Sequence, residues 1–371
     1  YTIDAGRRLT TAALDEGHKL AVISAIMKYH ATTRMRESIN DAMDVHSGKA
    51  VIDGPLNYLQ PHYRAIPIGI TVEGANIVTR NLIIFGQGAI RAHPHLLDEM
   101  QALQEPDREK SLTDFDKHFW KHVGHSTRTF FRAWWSGWTG RGSVPDNAGD
   151  IAPLYARLSR WSAAFAVTAD MAFLTLGGEL KRKEMISARL GDALSEMFLV
   201  SAALKRWEDD GRHAGDLPLV QYAAEVSFNR IGRALDETIA NFPARWVGWL
   251  LRPTLLPRSR SRGPSDKLAE KCAMILYSPS ATRDRLVGAL HPGEPDSGQG
   301  LLDTAYRMVV DAEPLTKRLR KLKQSPDAAL KSGAMTQGEF EQLQRVNTAV
   351  QRVVAVDEFS PEEIAAMFPD A

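Results

Sequence analysis

Residues 66–88 of this chain read IPIGITVEGANIVTRNLIIFGQG, and no other segment carries a more informative pattern. An apolar segment runs into a single carboxylate, Glu73, the only ionisable side chain between Arg64 and Arg80. A carboxylate among apolar neighbours is poorly solvated, so we expect Glu73 to be a stronger base than usual. Gly74 follows at once, and because it lacks a Cβ atom it lets the backbone approach a ligand closely. The pattern suits a general base that removes a weakly acidic C–H proton.

The same carboxylate has a plainer explanation. An apolar run follows Glu73 from Ile77 to Phe85, and it predicts a helix that starts near Asn76. A carboxylate just before a helix interacts favourably with the helix macrodipole and needs no catalytic role.

The amino-acid sequence of this segment resembles that of a known enzyme family. Residues 71–80, TVEGANIVTR, resemble the catalytic segment of acyl-CoA dehydrogenases, usually Glu-Gly-Thr-x-x-Ile-x-Arg. Residues 82–94, LIIFGQGAIRAHP, are similar to the large bacterial long-chain enzymes of fatty-acid β-oxidation, which carry an extra C-terminal helical domain. The similarity extends from Tyr1 to about Phe359. Because the chain begins at Tyr1 inside a predicted helix, we expect it to be the C-terminal part of a longer protein.

The resemblance implies an activity and roles for four residues. The family uses FAD to convert acyl-CoA, here of medium or long chain, to trans-2-enoyl-CoA. Glu73 would remove the α-proton of the acyl thioester, and Gly74 would lie against the substrate. Ala75 and Asn76 would contact the flavin. Ala75 stands where the family usually has threonine, so a hydroxyl that would face the flavin is missing.

A second flavin contact is implied at Ser47 and Gly48. The segment DVHSGKA, residues 44–50, lies where the family has a glycine-rich turn, commonly Gln-x-x-Gly-Gly-x-Gly. In the family this turn meets the adenosine diphosphate part of the FAD held by the neighbouring subunit. Gly48 is the one glycine of that turn retained here, and a lone glycine is also typical of a helix C-cap.

The resemblance also implies partners. It points to a homodimer, to an electron-transfer flavoprotein as electron acceptor, and to an isolated chain that is inactive because most flavin contacts lie in N-terminal domains. A non-enzymatic alternative is a helical dimerisation and membrane-docking module formed by residues 105–371. An acyl-CoA oxidase, which would pass electrons to oxygen, is a third possibility, but the residues after Glu73 are dehydrogenase-like.

Composition narrows the class of protein. Hydrophobic residues make up 44% and charged residues 25% of the 371, as in soluble globular proteins. The 46 basic and 45 acidic residues leave a net charge of +1, so no overall field favours nucleic acid. A single cysteine, Cys272, excludes an internal disulfide and fits a reducing compartment. The resemblance implies a bacterial cytoplasmic protein and, together with the composition of residues 246–262, a peripheral position on the inner face of the membrane. No apolar run approaches the roughly 20 residues that span a bilayer.

The pattern of apolar residues predicts an all-α architecture in two domains. Residues 1–104 would complete the helical bundle that carries Glu73, and residues 105–371 would form the additional helical domain. Residues 51–66 are predicted to be a loop, and residues 76–103 one helix. In the helix predicted over residues 181–208, one apolar stripe is expected to face the core: Ile186, Leu190, Ala193, Leu194, Met197, Val200, Ala203 and Leu204.

Two further groups have competing interpretations. His118, His122 and His125 fall at helical spacing, and His93 and His95 flank a proline; no carboxylate shell is apparent beside them, so ordinary histidines are favoured and no metal site is predicted. Residues 246–262 place tryptophans and leucines before Arg258, Arg260 and Arg262, a composition suited to an anionic membrane or to a buried helix with a basic loop. The aromatic residues from Trp120 to Trp138 are expected to form an inter-domain core.

Overall fold

The computed structural model describes residues 1–88, 93–257, 263–288 and 290–367. Over these ranges the chain forms helices and no strand, which confirms the all-α prediction. We number the α-helices in chain order: α1 (Thr2–Asp15), α2 (Ala21–His46), α3 (Gly48–Val51), α4 (Gln60–Thr71), α5 (Asn76–Val78), α6 (Leu96–Ala102), α7 (Arg108–Thr139), α8 (Ala152–Leu176), α9 (Glu184–Asp209), α10 (Leu217–Ala240), α11 (Arg245–Leu255), α12 (Asp266–Tyr277), α13 (Ala281–Val287), α14 (Gly298–Asp311), α15 (Glu313–Leu322), α16 (Pro326–Lys331), α17 (Gln337–Val354) and α18 (Pro361–Met367).

The chain divides into two compact units. The first comprises Tyr1–Ala31 and Ile70–Ile275, and the second comprises Thr32–Gly69 and Leu276–Ala371. This division by contacts does not follow the predicted boundary between residues 104 and 105, which stays a prediction.

Helix α9 is the centre of the first unit. It packs against α1, α8, α10 and a π-helix, Thr79–Gln87, that continues α5. Every residue of the predicted apolar stripe is buried except Leu194, which is half-buried. A stripe repeated every three to four residues covers one side of a helix, so it is the side that the neighbouring helices cover.

Helix α8 supplies part of the main buried core of the first unit. Among the described residues, the continuous helical stretch Gly149–Lys181 is long and apolar enough to span a bilayer, contrary to the sequence-based expectation. Trp161, Ala164, Val167 and Ala172 of this stretch belong to the main buried core of the first unit. Core helices share the composition of membrane spans because both are covered by apolar groups.

The second unit holds a smaller core. Leu315 and Leu319 of α15 pack with Ala329 of α16 and with Met335, and Phe340 of α17 packs against that group. Thr336 caps α17: its hydroxyl accepts from the Glu339 N–H, and the Glu339 carboxylate accepts from the Thr336 N–H. Arg318 and Thr336 lower the pKa of Glu339 to about 2 through these hydrogen bonds.

Two predictions around residues 51–103 were wrong in part. Residues 60–66, predicted as the end of a loop, belong to α4: Pro61 lies in its first turn, where its missing N–H costs nothing, and Pro67 lies inside the helix. The helix predicted over residues 76–103 is also not continuous, because the described residues 93–95 lie in a bend and turn before α6 begins at Leu96. Pro94 cannot donate the N–H that a continuous helix would need there.

Candidate functional site

Glu73 and Gly74 form a sharp turn between α4 and α5. Both have left-handed backbone conformations, with φ of +49° at Glu73 and +85° at Gly74. Glycine adopts such angles freely, but a residue with a Cβ atom is strained by roughly 1 kcal/mol or more. Non-glycine residues held in this region cluster at ligand and active sites, because the surrounding structure must enforce the strain.

Lys28 of α2 holds this turn in place. Its ammonium group donates to the Gly74 carbonyl and to Oδ1 of Asn76, each at 2.6 Å, and lies 3.5 Å from the Ile70 carbonyl near the end of α4. The Thr79 hydroxyl donates to the same Gly74 carbonyl at 3.1 Å. Hydrogen bonds from a charged donor are about twice as strong as neutral ones, so Lys28 is the main clamp on the turn. Sequence reasoning missed it, because a lysine 45 positions before Glu73 carries no local signal.

The π-helix that follows the turn is anchored to α9. Arg80 donates from Nε and Nη2 to the two carboxylate oxygens of Asp192, at 2.8 and 2.5 Å, and these bonds raise the pKa of Arg80. The Ser187 hydroxyl donates to the Asn81 carbonyl at 2.6 Å. A π-helix offsets its carbonyls from the usual partners, and such segments occur often at functional sites.

Aromatic packing completes this anchor. The Phe85 side chain is fully buried, with its ring stacked on Phe173 at 5.7 Å and edge-on to Phe165 at 6.2 Å between centroids. Ile84 beside it is also fully buried. The clamp and the anchor therefore hold the two ends of the Glu73 turn.

Glu73 itself is exposed, and the expectation that apolar neighbours would shield it was wrong. The reason is geometric: Val72, Ile77 and Val78 flank it along the chain, but their own side chains are 52%, 68% and 43% exposed. They leave the carboxylate in water, and they are themselves exposed apolar side chains close to it in the sequence.

The other predicted site residues have different surroundings. Gly74 is exposed, Ala75 is half-buried, and Asn76 is buried with its side-chain oxygen bonded to Lys28. These three residues and Glu73 lie together in the first unit. Their roles in substrate and flavin binding stay predictions.

Ser47 and Gly48 belong to the second unit. They form an exposed turn between α2 and α3, in which Ser47 has a φ of +53°. The neighbouring Lys49 is buried and donates to the Val353 carbonyl at 2.8 Å, which fixes the turn to the end of α17.

The aromatic residues of α7 were assigned to the wrong environment. Trp120, Phe131, Trp134, Trp135 and Trp138 are exposed and do not form an inter-domain core. Only one side of α7 is buried, with Ala133, Ser136 and Gly137 against α8 and α11, because small residues let the helices approach closely.

Helix α11 was interpreted either as a membrane-facing segment or as a buried helix, and it has one buried and one exposed side. Val247, Leu251 and Leu255 are buried, whereas Trp246 and Trp249 are exposed on the other side. Arg258, Arg260 and Arg262 lie outside the described residues.

The histidines lie closer together than the sequence indicated. His93 and His95 meet His122 and His125 of α7, with ring centroids 4.5 to 6.2 Å apart. Burial and the neighbouring imidazoles lower the pKa of His95 and of His125. Two carboxylates that the sequence did not place beside them, Glu99 and Asp170, contact His122 and His93, so a carboxylate shell does exist.

Comparisons with known proteins agree with the sequence resemblance. A family model described as "Acyl-CoA dehydrogenase, C-terminal, bacterial type" matches residues 90–359, and one described as "Acyl-CoA dehydrogenase, C-terminal domain" matches residues 4–86. The fold is similar to that of an acyl-CoA dehydrogenase from Bacillus anthracis complexed with FAD, at 16% identity and a TM-score of 0.50. That match covers 68% of this chain and 38% of the solved one, so the chain spans well under half of that enzyme's length.

Proposed function

Because this chain belongs to the bacterial-type acyl-CoA dehydrogenase C-terminal family, we propose that it supplies the catalytic base of an FAD-dependent acyl-CoA dehydrogenase. The base is Glu73, and the substrate is a medium- or long-chain acyl-CoA that becomes the trans-2-enoyl-CoA. One observation carries the proposal. Glu73 is exposed in a strained left-handed turn that Lys28 clamps, in the segment that resembles the family's catalytic segment.

The chemistry divides between the chain and its cofactor. The Glu73 carboxylate takes the α-proton of the acyl thioester, and the electron pair of that C–H bond forms the new double bond. FAD, when bound, would be the hydride acceptor for the β-hydrogen. The clamped turn holds the backbone that carries the carboxylate, so that less motion is lost when the substrate arrives.

The apolar side chains beside Glu73 serve this reaction. An acyl chain, or another part of the full-length protein, that packs on Val72, Ile77 and Val78 would remove water from the carboxylate. A carboxylate out of water holds a proton more strongly, and the base would therefore act most effectively once the substrate is bound. Exposure in the described chain is compatible with this sequence of events.

The residues predicted to meet FAD fit that role unequally. Gly74 and Ala75 present little side-chain bulk at the turn, and an added Cβ at Gly74 would reach no atom closer than Thr79 Oγ1 at 3.5 Å. Ser47 and Gly48 are exposed and fit contact with a phosphate. The Asn76 side chain is buried against Lys28, so we assign it to positioning of the turn rather than to direct contact.

The wider setting of the enzyme is part of the same proposal. We assign the activity to fatty-acid β-oxidation in the bacterial cytoplasm, with an electron-transfer flavoprotein as acceptor and a homodimer as the working form. The chain alone would be inactive, because it spans 38% of the solved dehydrogenase and the remaining flavin contacts would come from other parts.

The test is single-turnover bleaching of the flavin by palmitoyl-CoA in the full-length protein. Glu73→Gln keeps the size and hydrogen-bonding capacity of the side chain but removes the base. We expect the bleaching rate to fall by about 10²–10⁴-fold with unchanged flavin content. Glu16→Gln, at an exposed carboxylate of α1's C-cap, is the matched control and should bleach like the parent. Parent-like bleaching by Glu73→Gln would place the base elsewhere.

A second function rests on the exposed aromatic residues of α7 and α11, two helices that pack together in the first unit. Trp134, Trp138, Trp246 and Trp249 would insert at a membrane interface, where one side of the ring is apolar and the other is wet. The arginines at 258, 260 and 262 would bind anionic headgroups. Replacing all three with glutamine should weaken cosedimentation with phosphatidylserine vesicles. Unchanged sedimentation would refute this docking function and leave the dehydrogenase proposal intact.

A further inference from the structure

Four histidines gather where the loop before α6 meets α7 and α8. The closest pair is His93 and His122, whose ring centroids lie 4.5 Å apart. His95 and His125 lie beside this pair at centroid distances of 6.0 to 6.2 Å, and their own ring centroids are 5.6 Å apart. Imidazole nitrogens are the commonest metal ligands in proteins, so the cluster brings several candidate ligand atoms together.

Asp170 of α8 brings a carboxylate to the closest pair. Its Oδ1 lies 3.1 Å from Nε2 of His93, and its Oδ2 accepts from the Ser126 hydroxyl at 2.6 Å. Burial raises the pKa of Asp170, but the hydrogen bonds from His93 and Ser126 outweigh it and hold the pKa below its usual value. The Asp170 carboxylate is therefore held beside His93 by the Ser126 hydroxyl.

We propose that His93, His122 and Asp170 bind a divalent transition-metal ion, with Zn²⁺ the best match. One ligand atom from each of the three lies within 4.8 Å of the other two. Ligands bound at about 2.0 Å around a tetrahedral Zn²⁺ are about 3.3 Å apart, so the ligand atoms move closer by at most about 1.5 Å on binding. Two imidazoles and one carboxylate suit Zn²⁺, Co²⁺ and Ni²⁺ and disfavour Mg²⁺ and Ca²⁺, which prefer oxygen ligands.

Glu99 of α6 supplies an orienting group for His122. Its Oε1 lies 2.8 Å from Nδ1 of His122, and both side chains are mostly buried. With its proton on Nδ1 toward Glu99, the ring presents the lone pair of Nε2 to the ion. A carboxylate that fixes a histidine in this way is the usual support of a metal-binding imidazole. Glu99 is therefore a positioning residue and not a ligand.

His93 sets the strength of binding. Its Nδ1 accepts from the backbone N–H groups of His95 and Leu96, at 3.2 and 3.1 Å, so its proton is on Nε2 and points to Asp170. Metal binding at Nε2 moves that proton to Nδ1 and gives up those two backbone hydrogen bonds. We therefore expect a weaker affinity than that of a preformed structural zinc site. Water or the imidazole of His95 or His125 completes the coordination.

The test is direct titration of the untagged, chelator-treated chain with Co²⁺, followed by displacement with Zn²⁺. The expected result is saturable binding of one Co²⁺ per chain, visible d–d bands of a four- or five-coordinate ion, and their loss on addition of Zn²⁺. Absence of saturable binding by the parent chain overturns the proposal without any variant. Mg²⁺ in large excess should displace neither ion.

Variants then assign the ligands. His122→Ala and Asp170→Asn should each lower the Co²⁺ affinity at least tenfold, and Glu99→Gln should lower it by about 10–100-fold while the metal-free melting temperature changes little. His213→Ala removes an exposed histidine of the same unit and is the matched control. Affinities equal to that of the His213 variant in all three would overturn the proposed ligand set. A changed d–d spectrum in Glu99→Gln separates a role in orienting His122 from a purely structural one.

Discussion

The Glu73 turn and the π-helix that follows it are neighbours along the chain, but the turn is exposed and strained whereas the π-helix is packed against other helices. The turn is exposed, has two left-handed residues, and is held by the hydrogen bonds of Lys28 and Thr79 to the Gly74 carbonyl. The π-helix packs on α8 through Phe85, which is fully buried against Phe165 and Phe173, and is tied to α9 by the Arg80–Asp192 pair. A strained, solvated turn therefore directly precedes a tightly packed segment of the first unit.

The difference shows how strain can persist in an exposed turn. Local strain lasts only when the surrounding structure enforces it. Here the packed π-helix fixes the chain after the turn, and Lys28 ties the turn to α2. If this view is right, removing buried side chains of the anchor should cost much stability, and changing the exposed side chains of Val72 and Glu73 in the turn should cost little.

The largest expected effect on stability is in the anchor, the packed π-helix Thr79–Gln87. Phe85→Ala should lower the free energy of unfolding of the first unit by about 3–5 kcal/mol, because it leaves a cavity beside Phe165 and Phe173. Urea unfolding followed by tryptophan fluorescence measures this unit, since all eight tryptophans lie between residues 120 and 249. Val72→Ala, at a half-exposed apolar residue of the turn, should change stability by less than about 0.5 kcal/mol. Equal losses in the two variants would break the comparison.

The clamp should come next. Lys28→Met keeps most of the side-chain length but removes the charged donor, and we expect a loss of about 2 kcal/mol in the same unfolding experiment. In the full-length protein, kcat should fall at least about tenfold, because a freed carboxylate is misplaced for part of the time. Lys19→Met, at an exposed lysine, should change neither quantity. A stability loss with parent-like kcat would make Lys28 a structural residue only.

The third test compares two glycine-to-alanine substitutions that should change the unfolding free energy in opposite directions. Gly74→Ala should destabilise the first unit by about 1–2 kcal/mol, because φ is +85°. The nearest atom to an added Cβ lies at an ordinary 3.5 Å, so the backbone angle and not a clash causes the loss. Gly86→Ala, in the π-helix with nothing within 4 Å of an added Cβ, should stabilise it by about 0.5–1 kcal/mol. The difference in unfolding free energy between the two variants measures the left-handed strain. The same sign in both would remove the argument from strain.

The smallest expected effect on stability is at Glu73. Glu73→Gly relieves a left-handed residue and should stabilise the first unit by about 0.5 kcal/mol, the strain relieved being partly offset by the extra chain entropy of glycine. Glu73→Gln keeps the Cβ atom and should leave stability unchanged in the same urea titration. Both variants should lose flavin bleaching. More stability with less activity in the glycine variant is the signature of a residue strained for function, and a less stable glycine variant would contradict it.

Much of the fold could be predicted because its signals are local. The stripe from Ile186 to Leu204 repeats at the helical period, and nearly all of it is buried. The segment around Glu73 is contiguous, so it could be compared with a family as it stands. Residues 60–66 were missed for an equally local reason: a proline at position 61 argues for a loop, and only the structure shows that it lies in the first turn of α4.

Burial was harder to predict than helicity. The apolar residues beside Glu73 and the aromatic residues of α7 were expected to be covered, yet Ile77, Trp120 and Trp135 are exposed. A run of apolar residues shows that an element can be buried, and it does not show which of its sides another element covers. That choice depends on contacts between residues far apart in sequence.

The sequence by itself determined the helical class, the carboxylate of Glu73 and the glycine after it, because periodicity and contiguous motifs are properties of neighbouring residues. Only the tertiary structure decided that Lys28 clamps this turn across 45 positions, that Arg80 pairs with Asp192, and that Asp170 meets His93. The physical reason is the same in each case. These contacts join side chains that helix packing brings together, and the free energy of that packing is summed over the whole core and is not recorded at any one position.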